Sequence, residues 1–301
     1  MPEKKGRQTR GRSPRRKFRI VVASDGSTQS RAAVAATVAF PWPSNAEVSA
    51  VVASGAPRGR WSPAIAGAFH GALVGVATEA DRALRQRWPE SVAVVVHGAP
   101  VESILEAGRG ARVIVVGSHG YSRLERWTLG SVSRAVVRRA ASSVLVVKGE
   151  PTAFGHVVVG YDGSNHARRA IDLLASCSVP PRGRVTVCSF VETVEPQAPA
   201  MLPRGVRTLL ATEAEAINRT RLAKARRALE RAVRPLTEAG WRVRPDVRVG
   251  VAARDLPALP AKLGADLLVI GAQGTGWKRL LLGSVVEGVL DRAAVSTLIV
   301  R

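Results

Sequence analysis

Short runs of consecutive apolar residues alternate along the chain with longer stretches in which apolar residues recur every three or four positions. In the first half, runs near 18–24, 47–53, 91–97, 112–117 and 143–148 predict strands, and periodic stretches near 27–40, 64–88, 99–109 and 130–140 predict helices. In the second half the strands fall near 155–161, 184–191, 242–249, 265–271 and 296–301, with helices near 164–176, 206–234, 253–263 and 283–293. A run such as Val113-Ile-Val-Val116 is apolar on both faces, as expected of a parallel strand covered by helices on each side. The pattern predicts an α/β class with doubly wound, five-stranded parallel sheets and right-handed crossovers.

The two halves repeat one another. Phe18-Arg-Ile-Val-Val-Ala-Ser-Asp-Gly-Ser27 aligns with Gly155-His-Val-Val-Val-Gly-Tyr-Asp-Gly-Ser164, and Gly110 to Gly120 aligns with Gly264 to Gly274. Leu129-Gly-Ser-Val132 matches Leu282-Gly-Ser-Val285, and Val144 to Val147 matches Thr297 to Val300. Two copies of one domain, 18–149 and 154–301, follow a basic arm at 1–17, and the short connection between them predicts close packing. The helix near 206–234 carries Leu222, Ala225, Leu229, Ala232 and Leu236 on one face and Arg219, Arg221, Lys224, Arg226, Arg227, Arg231 and Arg234 on the other.

Charge changes the picture less than its size suggests. The net charge is +22, but residues 1–19 hold nine Lys/Arg against one Glu, leaving two mildly basic halves. The arm has no apolar periodicity and reads as disordered, and a nucleic acid or other polyanion is the partner class that its charge suits. The helix's arginine face reads first as a solvated surface and second as a polyanion contact. No window approaches the ~20 apolar residues of a membrane span. Arg15-Arg16-Lys17-Phe18 is followed by only four apolar residues before Ser24 and Asp25, too few for an export signal. Two isolated cysteines, Cys177 and Cys188, form no CxxC pair and suit a reducing, cytoplasmic setting.

The chemistry concentrates in Gly117-x2-Gly120-x9-Gly130-Ser131, which follows a strand and opens a helix. Glycine lets backbone approach a pyrophosphate, and a helix start presents free N–H groups and a positive dipole end. The hydroxyls of Ser131 and Ser133 add donors. Asp25 follows the first strand and so lies at the same carboxyl edge, where α/β sheets bind ligands and where it can meet a ribose hydroxyl or a metal ion. Each of these residues is also an ordinary turn or cap residue. Neither the P-loop nor the dinucleotide glycine pattern occurs.

Together, V-x-x-D-G-S after the first strand and G-x2-G-x9-G-S before the last helix resemble the universal stress protein family, across both halves as in a tandem member. The resemblance implies ATP binding, with Mg as an accompanying ion, and a stress-response or signalling role. By motif position it implies a site in the first half made of Ala23, Ser24, Asp25, Val52, Val116, Gly117, His119, Gly120, Gly130, Ser131, Val132 and Ser133, with Val52 contacting adenine. In the second half it implies Gly160, Tyr161, Asp162, Phe190, Ile270, Gly271, Gln273, Gly274, Gly283, Ser284 and Val285. That half departs from the pattern: eight residues, not nine, precede Gly283, Val286 replaces the second hydroxyl, and Phe190 is set against Val52. The first site is therefore expected to bind ATP better than the second.

No nucleophile–base constellation is visible, and the five histidines, His70, His97, His119, His156 and His166, show no paired ligand spacing. The reading is a nucleotide-dependent regulator with at most weak ATP hydrolysis. Two alternatives stand beside it: a polyanion binder acting through residues 1–19, and an interaction module that binds no nucleotide. The family's habit of pairing last strands implies that 143–148 and 297–301 meet within the chain as a pseudo-dimer, with a homodimer of whole chains as a further option.

Overall fold

The computed structural model describes residues 17–54, 62–119, 129–150, 153–196, 199, 201–273 and 283–301. The first half runs β1 (Phe18–Ser24), α1 (Thr28–Ala39), β2 (Ala46–Ser54), α2 (Pro63–Arg85), β3 (Val92–His97), α3 (Pro100–Ala107), β4 (Val113–Gly117), α4 (Ser131–Arg139) and β5 (Ser143–Val147). The second half runs β6 (His156–Gly160), α5 (Asn165–Ser176), β7 (Arg184–Val191), α6 (Arg204–Ala232), α7 (Arg234–Glu238) and β8 (Arg242–Val249). It continues through α8 (Ala252–Asp255), α9 (Leu259–Lys262), β9 (Leu267–Gly271), α10 (Ser284–Arg292) and β10 (Ser296–Val300).

The strands form one sheet of ten, in the order β3-β2-β1-β4-β5-β10-β9-β6-β7-β8. Each half is a parallel five-stranded sheet, and the halves meet where β10 pairs antiparallel with β5, Leu298 opposite Leu145. Two cations tie this seam reciprocally. Lys148, just after β5, donates from Nζ to the carbonyls of Ala293 at 2.6 Å and Leu290 at 3.3 Å, at the end of α10. Arg301, just after β10, donates to the Val137 carbonyl near the end of α4 at 2.7 Å. Each half thus places a positive charge at the negative dipole end of the other half's last helix. The exposed faces of those helices are joined too, Arg134 to Asp291 at 2.6 Å and Arg138 to Glu287 at 3.0 Å.

The Asp-Gly-Ser motif has a local structural role in both copies. Gly26 and Gly163 both sit at φ +82°, which an L side chain rarely adopts. Asp25 accepts from the Ser27 N–H at 3.0 Å and Asp162 from the Ser164 N–H at 2.9 Å. Ser27 and Ser164 then cap α1 and α5, accepting from Ser30 and Ala167.

Two apolar layers flank the sheet, one under α1, α2, α5, α6 and α7 and one under α3, α4 and the second half's Leu256, α9 and α10. Leu229 and Leu236 of the predicted apolar face are fully buried, and the seven cations opposite are exposed. The single helix expected over 253–263 is two single turns instead. Pro257 cannot donate to the carbonyl of Ala253 and its ring clashes there, so α8 stops at Asp255. The freed Ala253 carbonyl accepts from the Arg292 guanidinium of α10.

Buried His156 at the start of β6 contacts the Thr186 hydroxyl at 3.0 Å. Desolvation, and secondarily Arg184, push its pKa below the ordinary value of 6.5. The unfolded chain therefore takes up this proton first as pH falls below 6.5, so stability drops on acidification until the folded pKa is passed. Urea midpoints measured at pH 7.5 and 5.5 should decrease with acid, and His156→Gln should shrink that decrease.

Candidate functional site

In the order β3-β2-β1-β4-β5 the winding reverses between β1 and β4, and their carboxyl ends part to leave a cleft. A cavity of about 240 Å³ lies there, lined by Ala23, Ser24, Asp25, Ser30, Ala53, Pro100, Ile104, Val116, Gly117, His119, Gly130, Ser131, Val132 and Ser133. The fold thus gathers ten of the residues expected in the first half's site. Gly120 and Gly274 lie outside the described residues.

The apolar part of the lining comes from strand ends and α3, through Ala23, Ala53, Val116, Pro100 and Ile104. The polar part is local to two segments. Ser24 donates to Ser30 at 3.2 Å beside Asp25, whose Oδ2 has no hydrogen-bond partner among the described residues. Opposite, Gly130 precedes α4 and no side chain among the described residues caps its first-turn N–H groups. The Ser133 hydroxyl is already committed, donating to the Gly117 carbonyl at 2.6 Å. His119 contacts the Ser118 hydroxyl through Nδ1 at 2.9 Å, while its buried Nε2 has no partner among the described residues.

Gly117 is required by packing. A Cβ there would lie 2.7 Å from the Gln29 carbonyl oxygen, because α1 passes directly against the end of β4. Gly271 is held the same way, 2.8 Å from the backbone of α5. Gly117→Ala is expected to cost about 1–3 kcal/mol, since the obstruction is backbone, and a denaturant titration checks it.

Val52 is not part of the lining. It is fully buried on the opposite face of β2 with Leu73 and Ala77 of α2, and the next residue, Ala53, faces the cavity. Period-two alternation from Ala23, whose register partner is Val51, shows the phase. Ser30, Ala53, Pro100 and Ile104 are the lining residues that motif reasoning missed. For Ala53 the signal was strand alternation; Pro100 and Ile104 carry no motif and reach the site through the β3–α3 connection.

The second half has the same backbone frame but a different filling. Gly160 pairs with Cys188 as Ala23 pairs with Val51, so Phe190 stands at the position of Ala53, one residue on from that of Val52. Leu256, in the place of Ile104, is buried, and a Cβ on Gly160 would lie 2.7 Å from its Cδ2 and 3.1 Å from Ile270. Tyr161 packs on the other apolar layer, while Phe190 packs against the layer holding Leu256. Asp162 keeps its turn, Gln273 accepts from Ser164 at 3.3 Å, and Gly283 starts α10 without a side-chain cap beside Ser284 and Val285. Buried Val286 replaces Ser133. Leu256 and Phe190 thus stand where the first half has Ile104 and Ala53, and Leu256 reaches into the space that Gly160 leaves beside β6.

The model of the universal stress protein family matches residues 18–148 and 153–301. The chain belongs to the universal stress protein family. A universal stress protein of Mycobacterium tuberculosis is 32% identical over 214 residues, covering 64% of this chain and 62% of the relative. The match therefore spans less than two thirds of that relative's length. Among solved structures, a universal stress protein from Archaeoglobus fulgidus superposes with a TM-score of 0.61 at 19% identity, covering 94% of this chain and 96% of its own. One from Pseudomonas aeruginosa gives a TM-score of 0.56 at 18% identity, covering 94% and 93%. These likenesses establish a tandem universal stress protein fold. Among the described residues no helix is long and apolar enough to cross a membrane, and no group of three or more His, Cys, Asp or Glu is placed to hold a metal.

Proposed function

We propose that this universal stress protein is a cytoplasmic nucleotide-dependent regulator that binds one ATP per chain, in the first half. The observation that carries the reading is the cleft between β1 and β4, which sets around one space an apolar wall and, among the described residues, a carboxylate oxygen without a partner and a helix start without a side-chain cap. Adenine fits the wall of Ala23, Ala53, Pro100, Ile104 and Val116. The Asp25 carboxylate suits a ribose hydroxyl, and the N–H groups of Ser131 and Val132 suit phosphate, aided by the α4 dipole. Mg would travel with the phosphates, with Asp25 as the carboxylate that the described lining offers it.

A switch fits this lining better than a catalyst. Among the described residues Asp25 is the one carboxylate in it, and the other titratable group, His119, is engaged with the Ser118 hydroxyl through Nδ1. Binding at Gly117, Gly130 and Ser131 brackets the glycine segment between them, and through it nucleotide occupancy would set partner choice. The preference for the first half rests on the bulkier Phe190 at the position of Ala53 and on Leu256 against Gly160 in the second.

Protein purified without added nucleotide and then denatured should release ATP, identified by chromatography. Asp25→Asn keeps an acceptor for the Ser27 turn but removes the charge. It is expected to weaken ATP about tenfold or more, the scale of one charged hydrogen bond. No release and no binding in equilibrium dialysis would leave the interaction-module alternative standing.

A further inference from the structure

His70 and His97 are 27 residues apart and show no ligand spacing in sequence, yet α2 packs against β3 so that their rings meet. Nδ1 of His70 lies 3.1 Å from Nε2 of His97, with ring centroids 5.2 Å apart and planes inclined by 35°. Both side chains are exposed, and His97 is the last residue of β3, on the side of the sheet that carries α2. We propose that His70 and His97 form a two-imidazole site for a divalent transition metal ion of the Zn2+, Ni2+ and Cu2+ class.

Two imidazole nitrogens about 2.0–2.1 Å from one tetrahedral ion stand roughly 3.3 Å apart. The observed separation is within a few tenths of an ångström of that bite, so the backbone already holds the ligands at chelating distance. In the metal-free pair one facing nitrogen carries the hydrogen that bridges to the other. On metal binding that hydrogen moves to the remaining nitrogen of the same neutral ring, and both facing lone pairs turn to the ion. Charge is conserved, no co-reactant is consumed, and exposure leaves both rings free for the small rotation required.

No third His, Cys, Asp or Glu joins the pair among the described residues, so water completes the coordination. Two neutral nitrogen donors and open water positions favour borderline ions over Mg2+ or Ca2+, with Cu2+ strongest in the divalent series. The site is separate from the cleft, whose lining on β2 faces the other side of the sheet.

The test uses the full chain. Zn2+ titrated by calorimetry should bind at one equivalent, and both His70→Ala and His97→Ala should weaken it at least tenfold while His166→Ala does not. Electron paramagnetic resonance with one equivalent of Cu2+ should show coupling to two imidazole nitrogens, reduced in either variant. Zn2+ binding equal in wild type and the double variant, or a copper signal unchanged by both substitutions, overturns the proposal. ATP binding unchanged in the same variants keeps this result distinct from that of the nucleotide site.

Discussion

Ala53→Phe should abolish ATP binding, weakening it by about 100-fold or more, while leaving the fold intact. The cleft wall at this position is a methyl group, and a phenyl ring there would project into the cavity against Ile104 and Val116. The second half already holds Phe190 at the same register position, so the backbone tolerates the ring. A 100-fold change is about 2.7 kcal/mol, a magnitude reached by removing most of one face's contacts with a base. Calorimetric titration with ATP, beside a thermal melt, separates the effects. A melting temperature within a few degrees of wild type with unchanged ATP affinity would place the nucleotide elsewhere.

Trp42→Ala is the most damaging single core change expected, at about 3–5 kcal/mol. The ring is fully buried, its centroid 4.0 Å from Phe40, which in turn lies 4.9 Å from Phe154 at the start of the second half. Its Nε1 donates to the Thr37 carbonyl at 2.9 Å, and its own carbonyl accepts from the Ser178 hydroxyl at 3.1 Å. One residue therefore joins the first half's core to the second half's α5 corner. Urea unfolding followed by far-ultraviolet dichroism should show both halves losing stability together. A loss below 1 kcal/mol, or a loss confined to one of two transitions, would mean that the halves are not packed as one body. Trp42→Phe keeps most of the contact and should cost roughly half as much.

The strand and helix pattern was legible because it rests on chain-local periodicity, and Val113 to Val116 signalled a parallel, doubly covered strand without any tertiary knowledge. Local chemistry overrides periodicity at 253–263: the apolar spacing is helical throughout, but Pro257 breaks the helix there. The site divided along the same line. Asp25, Gly117, Gly130 and Ser131 carry motifs, and the fold brings them together. The choice of Val52 over Ala53 turned on strand phase, which one residue inverts. In the second half Leu256 reaches the open side of Gly160, a contact spanning 96 residues that no spacing rule encodes. The pairing of His70 with His97 was hidden for the same reason.

The cleft of the first half predicts one nucleotide per chain. Native mass spectrometry of the full chain saturated with ATP tests it most directly, by the mass added per protein. The predicted spectrum shows one ATP per chain in wild type and none in Ala53→Phe. Two per chain, or one that persists in Ala53→Phe, would contradict the account.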